Sequence, residues 1–438
     1  MKKFMSLVLA LLMVLSMAAC GEKAPDTNQS DPGNNGNTTF SWPNMVKLSI
    51  TGSGTTAYAG TLAWSNLLEG TGYTKVRLLP EDSNATKFQR VRNGETLMTY
   101  DTMGDVATLI NANFGYATET GGPYQVRWVW PDFQSNSVMF VRGDSKIEKP
   151  TDITKDTPIA CTIDSAMENV KASLAAATGV SVDEMNWVYC SSYGEMPKLV
   201  TTGAAELCAY VTPTSSSIIE ASASPQGIKV MDFNPELYPE WCAAFQTKQP
   251  VYSFNKIEFG NEAAVGKYGW GSDGGWITSS TADQELIYNM VKFFAENQDK
   301  IQGAFETYSY YWSVDYAREV LSRTYVPVAE GTIKYFKEIG QWTEADDARQ
   351  EYNIKLIDKY AEAYSECVAK AHADGVKIDT QNQEWLDYWN AQSRSSAASD
   401  VYKRQPFGLI YTILLTITCG AEYTTSCSAP FIPLCDLF

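Results

Sequence analysis

The stretch TGSGTTAYAG, residues 51–60, sets three glycines among serine and threonine hydroxyls, between an apolar strand, MVKLSI, and an apolar helical run, TLAWSNLLEG. Strand, glycine-rich turn and helix form a natural anion holder, because the first helical N–H groups have no partner within the helix. The turn lacks the Gly-Lys-Ser/Thr ending that sets an ammonium against the β- and γ-phosphates, and its third glycine is misplaced for G-x-G-x-x-G, so nucleotide binding has no support. What remains are the hydroxyls and N–H groups of Ser53, Thr55 and Thr56, suited to a carboxylate. Helix capping is the competing reading for each of them.

Catalytic chemistry finds little to work with. His372 is the single histidine of the chain and falls in a polar helical stretch, which argues against a His-dependent Ser or Cys triad and excludes His-cluster metal sites. Glu81 with Asp82, and Asp346 with Asp347, read as solvated pairs on an acidic surface. Cys161 and Cys190 follow strands, where a nucleophile would stand, but no histidine base accompanies them. Of nine cysteines, Cys20 belongs to a leader and three lie in the tail. Cys161, Cys190, Cys208, Cys242 and Cys367 remain, an odd set without metal-ligand spacing. They read as isolated buried thiols, with one disulfide possible. No metal or cofactor is expected.

The elements that must position these residues follow from length and pattern. A chain of 438 residues exceeds what one core usually supports, which predicts two lobes. A formal charge of −17 argues against nucleic acid or an anionic membrane surface as partner. The start, MKKFMSLVLALLMVLSMAAC, is an export signal ending in small residues before Cys20, the pattern of a bacterial lipoprotein whose cysteine is acylated. This predicts a signal over residues 1–20, a lipid anchor on Cys20, and an extracytoplasmic location at the cell membrane. Residues 21–41, rich in Gly, Pro, Asn and Asp, read as an unfolded tether. At the other end SSAASDVYKRQ, residues 395–405, is the translation of a common transposon sequencing adapter, so 395–438 is expected to be adapter-derived and carries no functional weight.

Between these ends, strand-like runs (VKLSI, KVRLLP, TLMTYD, VRWVWP, SVMFVRG, TPIACTI, NWVYC, ELCAYV, IKVMDF) alternate with helical ones, which predicts an α/β fold with mostly parallel strands. The polar connector after SVMFVRG suggests a boundary. Lobe one is expected over 42–142 and 250–340, lobe two over 143–249, and C-terminal helices over 341–394, bracing the hinge formed by two crossings. Thr281 is the expected N-cap over Gln284.

Four motifs in this order resemble the TAXI family, the TRAP-associated extracytoplasmic solute receptors. PVAEGTIKYFKEIG, residues 327–340, resembles Pro-Leu-His-Pro-Gly-Ala-x-x-Tyr-Tyr-x-Glu-x-Gly through Pro327, Gly331, Tyr335, Glu338 and Gly340. The opening turn is similar to Gly-Gly-Thr-Tyr-Tyr-Pro-x-Gly through Gly54, Thr55 and Gly60, with Thr56, Ala57 and Tyr58 in place of Tyr-Tyr-Pro. NGETLMTYDTMGD resembles a family segment that lines the cleft, here supplying Asp101 and Thr102, and GAAELCAYVTPTSSSIIEAS resembles a further family segment, with Thr212 before Pro213.

The resemblance implies a two-lobe, periplasmic-binding-protein-like (type II) α/β fold with a hinge. It also implies capture of a small, carboxylate-bearing solute for delivery to the membrane subunits of a TRAP-type symporter, without enzymatic activity. The expected ligand contacts are Ser53, Thr55, Thr56, Tyr58, Asp101 and Thr102 from lobe one, Thr162, Ser165, Tyr210 and Thr212 from lobe two, and Tyr252. Trp128 and Trp130 are candidate walls. An ABC-type binding lipoprotein is the alternative, and a cysteine-dependent enzyme on the same fold a further one.

Overall fold

A computed structural model of the chain describes residues 40–395. The export signal, Cys20, the tether to residue 39 and the tail from residue 396 lie outside the described residues.

The first lobe opens with β1 (Met45–Ile50), α1 (Thr56–Gly70), β2 (Lys75–Pro80), α2 (Asn84–Arg92), β3 (Met98–Thr102), α3 (Met103–Ile110) and β4 (Val126–Gln134). β1 lies parallel to both β2 and β3, so the turn after β1 and the start of α3 fall on the same edge of the sheet. Val46, Leu48 and Ile50 alternate into the core, as a strand places every second side chain on one face. Gly54 adopts φ +97° in the turn, a conformation glycine takes without strain, and the turn then meets α1 at Thr55.

The second lobe holds β5 (Val138–Arg142), β6 (Ile159–Thr162), α4 (Ser165–Thr178), β7 (Trp187–Cys190), α5 (Met196–Thr201), β8 (Leu207–Val211), α6 (Ser216–Ser222), β9 (Ile228–Val230) and α7 (Pro239–Gln246). A hairpin of β10 (Ser253–Lys256) and β11 (Tyr268–Gly271) ends it. The chain then returns through β12 (Asp273–Ser279), which enters the first sheet antiparallel between β3 and β4. The sheet orders are β2-β1-β3-β12-β4 and β7-β6-β8-β5-β9. Both sheets are mixed rather than mostly parallel, because the two crossing segments each deliver an antiparallel strand.

The crossings differ from the sequence expectation. β5, expected to close lobe one, pairs with β8 and β9 of the second sheet, which puts the first crossing at residues 135–137 instead of after 142. Residues 250–271, expected in lobe one, stay with lobe two: Tyr252, Ile257, Ala264 and Trp270 belong to its core. The crossings run side by side, with Ser135 N donating to Ser272 O at 3.0 Å and Ser137 N to Trp270 O at 2.7 Å. A Cβ on Gly271 would fall 1.2 Å from the Ser135 carbonyl oxygen, so only glycine permits this approach.

After β12 come α8 (Gln284–Glu296), α9 (Gln298–Ala304), α10 (Tyr308–Tyr311), α11 (Val314–Arg323), α12 (Glu330–Glu338), α13 (Glu344–Asp374) and α14 (Gln383–Ser395). Asp283, not Thr281, caps α8, accepting from the N–H groups of Glu285 and Leu286 at 3.0 Å, while Thr281 pairs with Ser279 instead. The 31-residue α13 spans roughly 46 Å at 1.5 Å per residue. It and α14 pack on lobe one instead of the hinge: Arg318 reaches Asp346 at 2.8 Å, Trp385 Nε1 donates to Ala117 O at 2.9 Å, and Trp389 Nε1 to Asn111 O at 2.9 Å. Among the described residues no helix is long and apolar enough to cross a membrane.

Lobe one is cored by indoles. Trp64 meets Trp276 edge-on at 5.3 Å and Phe294 at 5.0 Å, with Trp130 and Trp312 close by. Trp128 and Trp130, expected as possible pocket walls, are fully buried in this core. Lobe two is cored by aliphatic, methionine and cysteine side chains around Phe233, Phe245 and Trp270. Two α/β lobes joined by two adjacent crossings make this a type II, periplasmic-binding-protein-like architecture.

Candidate functional site

The strand ends of both lobes face one another across a cavity of about 620 Å³ of atom-free space, part of it open to solvent. The rims are in contact. Thr56 Oγ1 lies 2.7 Å from Thr212 Oγ1 and 2.8 Å from Thr214 Oγ1, Asn84 N donates to Asp164 Oδ1 at 2.9 Å, and Asn169 Nδ2 donates to Thr108 Oγ1 at 2.7 Å. Farther out, the Phe259 ring of lobe two stacks on Tyr310 of lobe one with centroids 4.0 Å apart.

Lobe one brings the charges. α2 has its buried positions at Asn84, Lys87, Phe88 and Val91, so Lys87 sits on the apolar stripe and points inward. Its ammonium lies 3.2 Å from Asp101 Oδ2 and donates to Tyr100 O at 3.2 Å, with both members of the ion pair almost fully buried. Thr102 caps α3: its hydroxyl accepts from Asp105 N at 3.3 Å and donates to Asp105 Oδ2 at 2.9 Å. The other oxygen, Asp105 Oδ1, is buried with no hydrogen-bond partner. Burial, and then the neighbouring Asp101 carboxylate, hold the Asp105 carboxyl well above the usual range.

Lobe two adds Asp164, the N-cap of α4, which accepts from Ala166 N at 3.1 Å and from the Tyr193 hydroxyl at 2.7 Å, besides the Asn84 N–H from the other lobe. Burial raises its pKa while these donors oppose the rise. Two aromatic pairs flank the cavity: Tyr100 stacks on Phe133 at 5.2 Å in lobe one, and Tyr193 meets Tyr210 edge-on at 5.6 Å in lobe two. Ser215 and Ser217 complete the lobe-two wall, hydrogen-bonded to each other at 3.1 Å.

Of the residues singled out in the sequence, Thr55, Thr56, Asp101, Thr102, Tyr210 and Thr212 come together around this cavity. Thr55 is also the cap of α1, accepting from Tyr58 N at 3.2 Å. The other five do not line it. Ser53 is exposed on the turn and Tyr58 half-buried in the first turn of α1. Thr162 is buried at the end of β6 with its hydroxyl unpartnered. Ser165 opens α4 and packs against Gly115, where a Cβ would meet its hydroxyl at 2.8 Å. Tyr252 is buried behind the cavity, its ring against Gly104.

Sequence reading passed over Lys87, Asp105, Asn84, Phe133, Ser135 and Tyr193. Two signals were readable: a lysine on the apolar stripe of a helix, and an aspartate three residues after the capping Thr102.

The thiols are poor nucleophiles. The five described cysteines are free, so no disulfide forms among them. Burial pushes Cys161 up to about 12 and raises Cys190 as well. His372 is exposed, 3.0 Å from Glu119 and remote from the cavity lining. Among the described residues no three His, Cys, Asp or Glu side chains converge to hold a metal ion.

The 327–340 motif lies outside the cavity lining and is a packing device. A Cβ on Gly331 would stand 2.4 Å from Gln284 O, so glycine lets α12 press onto α8.

Similar solved structures include a periplasmic transporter (11% identity, TM-score 0.43, covering 76% of this chain and 98% of that one). Another is a binding-protein component of an ABC phosphonate transporter from Pseudomonas aeruginosa (12%, TM-score 0.41, 74% and 98%). A third is the alkanesulfonate-binding protein from Xanthomonas axonopodis pv. citri bound to MOPS (14%, TM-score 0.37, 78% and 96%). No curated protein matches the chain. The model of the NMT1-like family matches residues 83–340, more than half of the chain and all of the cavity lining except the turn and helix start at 51–57, and the protein belongs to that family.

Proposed function

We propose that the protein is the extracytoplasmic solute receptor of a membrane transporter, closing its two lobes around a small molecule. The observation that carries this reading is the cavity itself, lined from both lobes and spanned by interlobe hydrogen bonds at Thr56 and Asn84. Two adjacent crossings allow the lobes to part without unfolding either sheet. A solute that bridges both walls stabilises the closed form only by its differential affinity, and moving the equilibrium from 1:99 to 99:1 takes about 5.5 kcal/mol.

The resemblance of the opening turn and the 327–340 segment favours a TRAP-type symporter as the recipient, with the receptor held at the membrane through acylated Cys20. The described lining supports a non-enzymatic role, since its polar side chains are hydroxyls, carboxylates, the Asn84 amide and one ammonium already paired with Asp101. A carboxylate on the solute would meet the hydroxyls of Thr55, Thr56 and Thr212, of which Thr55 already donates to Gly52 O while Thr56 and Thr212 are engaged with each other. It would find no unpaired cation among the described lining residues.

Native mass spectrometry of the protein purified with its captured ligand, followed by small-angle scattering with and without that ligand, tests the reading. The expected result is a bound small molecule and a decrease in radius of gyration on adding it back. A ligand that binds without compaction would overturn lobe closure, and product formation from it would revive an enzyme.

A further inference from the structure

The charges of the cavity balance only while Asp105 holds a proton. Its described lining holds Asp101, Asp105 and Lys87, and Lys87 is consumed by Asp101 at 3.2 Å. Asp105, beside the Asp101 carboxylate, is left with Oδ1 buried and without a donor, on a residue only 6% exposed. A buried carboxylate without a partner is costly, and a cation or a proton must relieve it. The surroundings favour an organic cation over a metal ion. Among the described residues no third acidic or imidazole ligand converges with the two aspartates, whereas aromatic side chains from both lobes, Tyr100 with Phe133 and Tyr193 with Tyr210, line the same cavity. Aromatic faces attract a positive nitrogen through the ring quadrupole and shelter the carbon attached to it.

On the reading of the protein as a solute receptor, we propose that its solute carries a positively charged nitrogen on a small apolar body, with the nitrogen at Asp105 and the body between the aromatic pairs. The cation makes Asp105 Oδ1 the acceptor of a charge-assisted contact, and the closing lobe supplies the second aromatic wall. This differs from the expectation of a carboxylate as the defining group, because a dianion would enter beside the two aspartates with no free ammonium among the described lining residues to receive it.

Isothermal titration calorimetry of the full chain with benzylamine, tetramethylammonium and succinate tests the assignment. Either or both of the cations are expected to bind and succinate not to. Asp105→Asn is expected to weaken cation binding roughly 30-fold or more, as for loss of one partner of a buried charge pair. If Asp105 serves only to hold a proton, the variant leaves cation binding unchanged, which overturns the proposal. Binding of succinate in preference to both cations, or no binding by either cation at millimolar concentration, overturns it as well, while a different ligand captured during purification would leave the receptor reading standing. Should Asp105→Asn fail to fold, Tyr210→Leu removes one aromatic face of the cavity, and unchanged cation affinity in that variant counts against the proposal.

Discussion

Among the described residues every charged side chain lining the cavity, Lys87, Asp101 and Asp105, comes from lobe one, whereas lobe two presents Tyr193, Tyr210, Thr212, Ser215 and Ser217. The charges rest on consecutive elements, α2, β3 and α3, and are tied to one another and to the backbone. The lobe-two groups are neutral, and burying them costs less than burying a charge. Asp164 is the lobe-two carboxylate nearest the site, and it is consumed by its own helix, by Tyr193 and by the Asn84 N–H. On the proposed receptor reading, lobe one would read the charge of the solute and lobe two would meet it with neutral groups.

Three substitutions probe this contrast. The largest effect is expected for Lys87→Met, which leaves Asp101 buried without its cation and should cost about 3–5 kcal/mol in denaturant unfolding. A loss below about 1 kcal/mol, the scale of an exposed pair, would mean that the lobe-one charges are solvated and the two walls alike.

Asp132, beneath the lobe-one wall, comes next. It is fully buried, accepts from the Tyr308 hydroxyl at 3.3 Å, and lies near the Tyr100 phenol. Burial pushes its carboxyl up to about 8. Because the folded value exceeds the unfolded one, the stability it contributes is fully present below about pH 4 and is lost as pH rises to about 8. Unfolding measured at pH 6 and pH 8.5 should show a loss of roughly 2–3 kcal/mol attributable to this group, absent in Asp132→Asn. Equal pH slopes in both proteins would place water beside Asp132.

The smallest effect is expected for Thr56→Val, which keeps the volume but removes the hydroxyl facing Thr212 and Thr214. Losing about 1 kcal/mol of closed-state stabilisation should shift the ligand-free equilibrium toward the open form about fivefold, read by single-molecule fluorescence between labels on the two lobes. An unchanged distribution would remove these hydroxyls as a latch.

Much of the framework was legible in the sequence. Strand runs such as VKLSI and ELCAYV alternate or run apolar over a few residues, and the observed β1 and β8 fall on them. The crossings were not legible. SVMFVRG reads equally well as the last strand of one sheet or the first of the next, and only its pairing with β8 and β9 decides. Likewise Tyr252 and Trp270 look like residues of the returning strand until the lobe-two core encloses them. Within the site, Thr55 and Thr102 could be read from their positions after strands. Lys87 and Asp105 were hidden because a charge on a helix usually faces water, and their burial depends on partners from other elements.

The sequence by itself determined the presence of two α/β units and the hydroxyl-rich turns at their strand ends, because periodicity and turn chemistry are local and survive in any context. The tertiary structure alone decided where the chain crosses between lobes, and that TGSGTTAYAG contributes Thr55 and Thr56 beside a buried acidic pole and not an anion cradle in isolation. Electrostatics in a cavity is a sum over side chains far apart in the chain, and the folded geometry is what brings Lys87, Asp101 and Asp105 into one desolvated space.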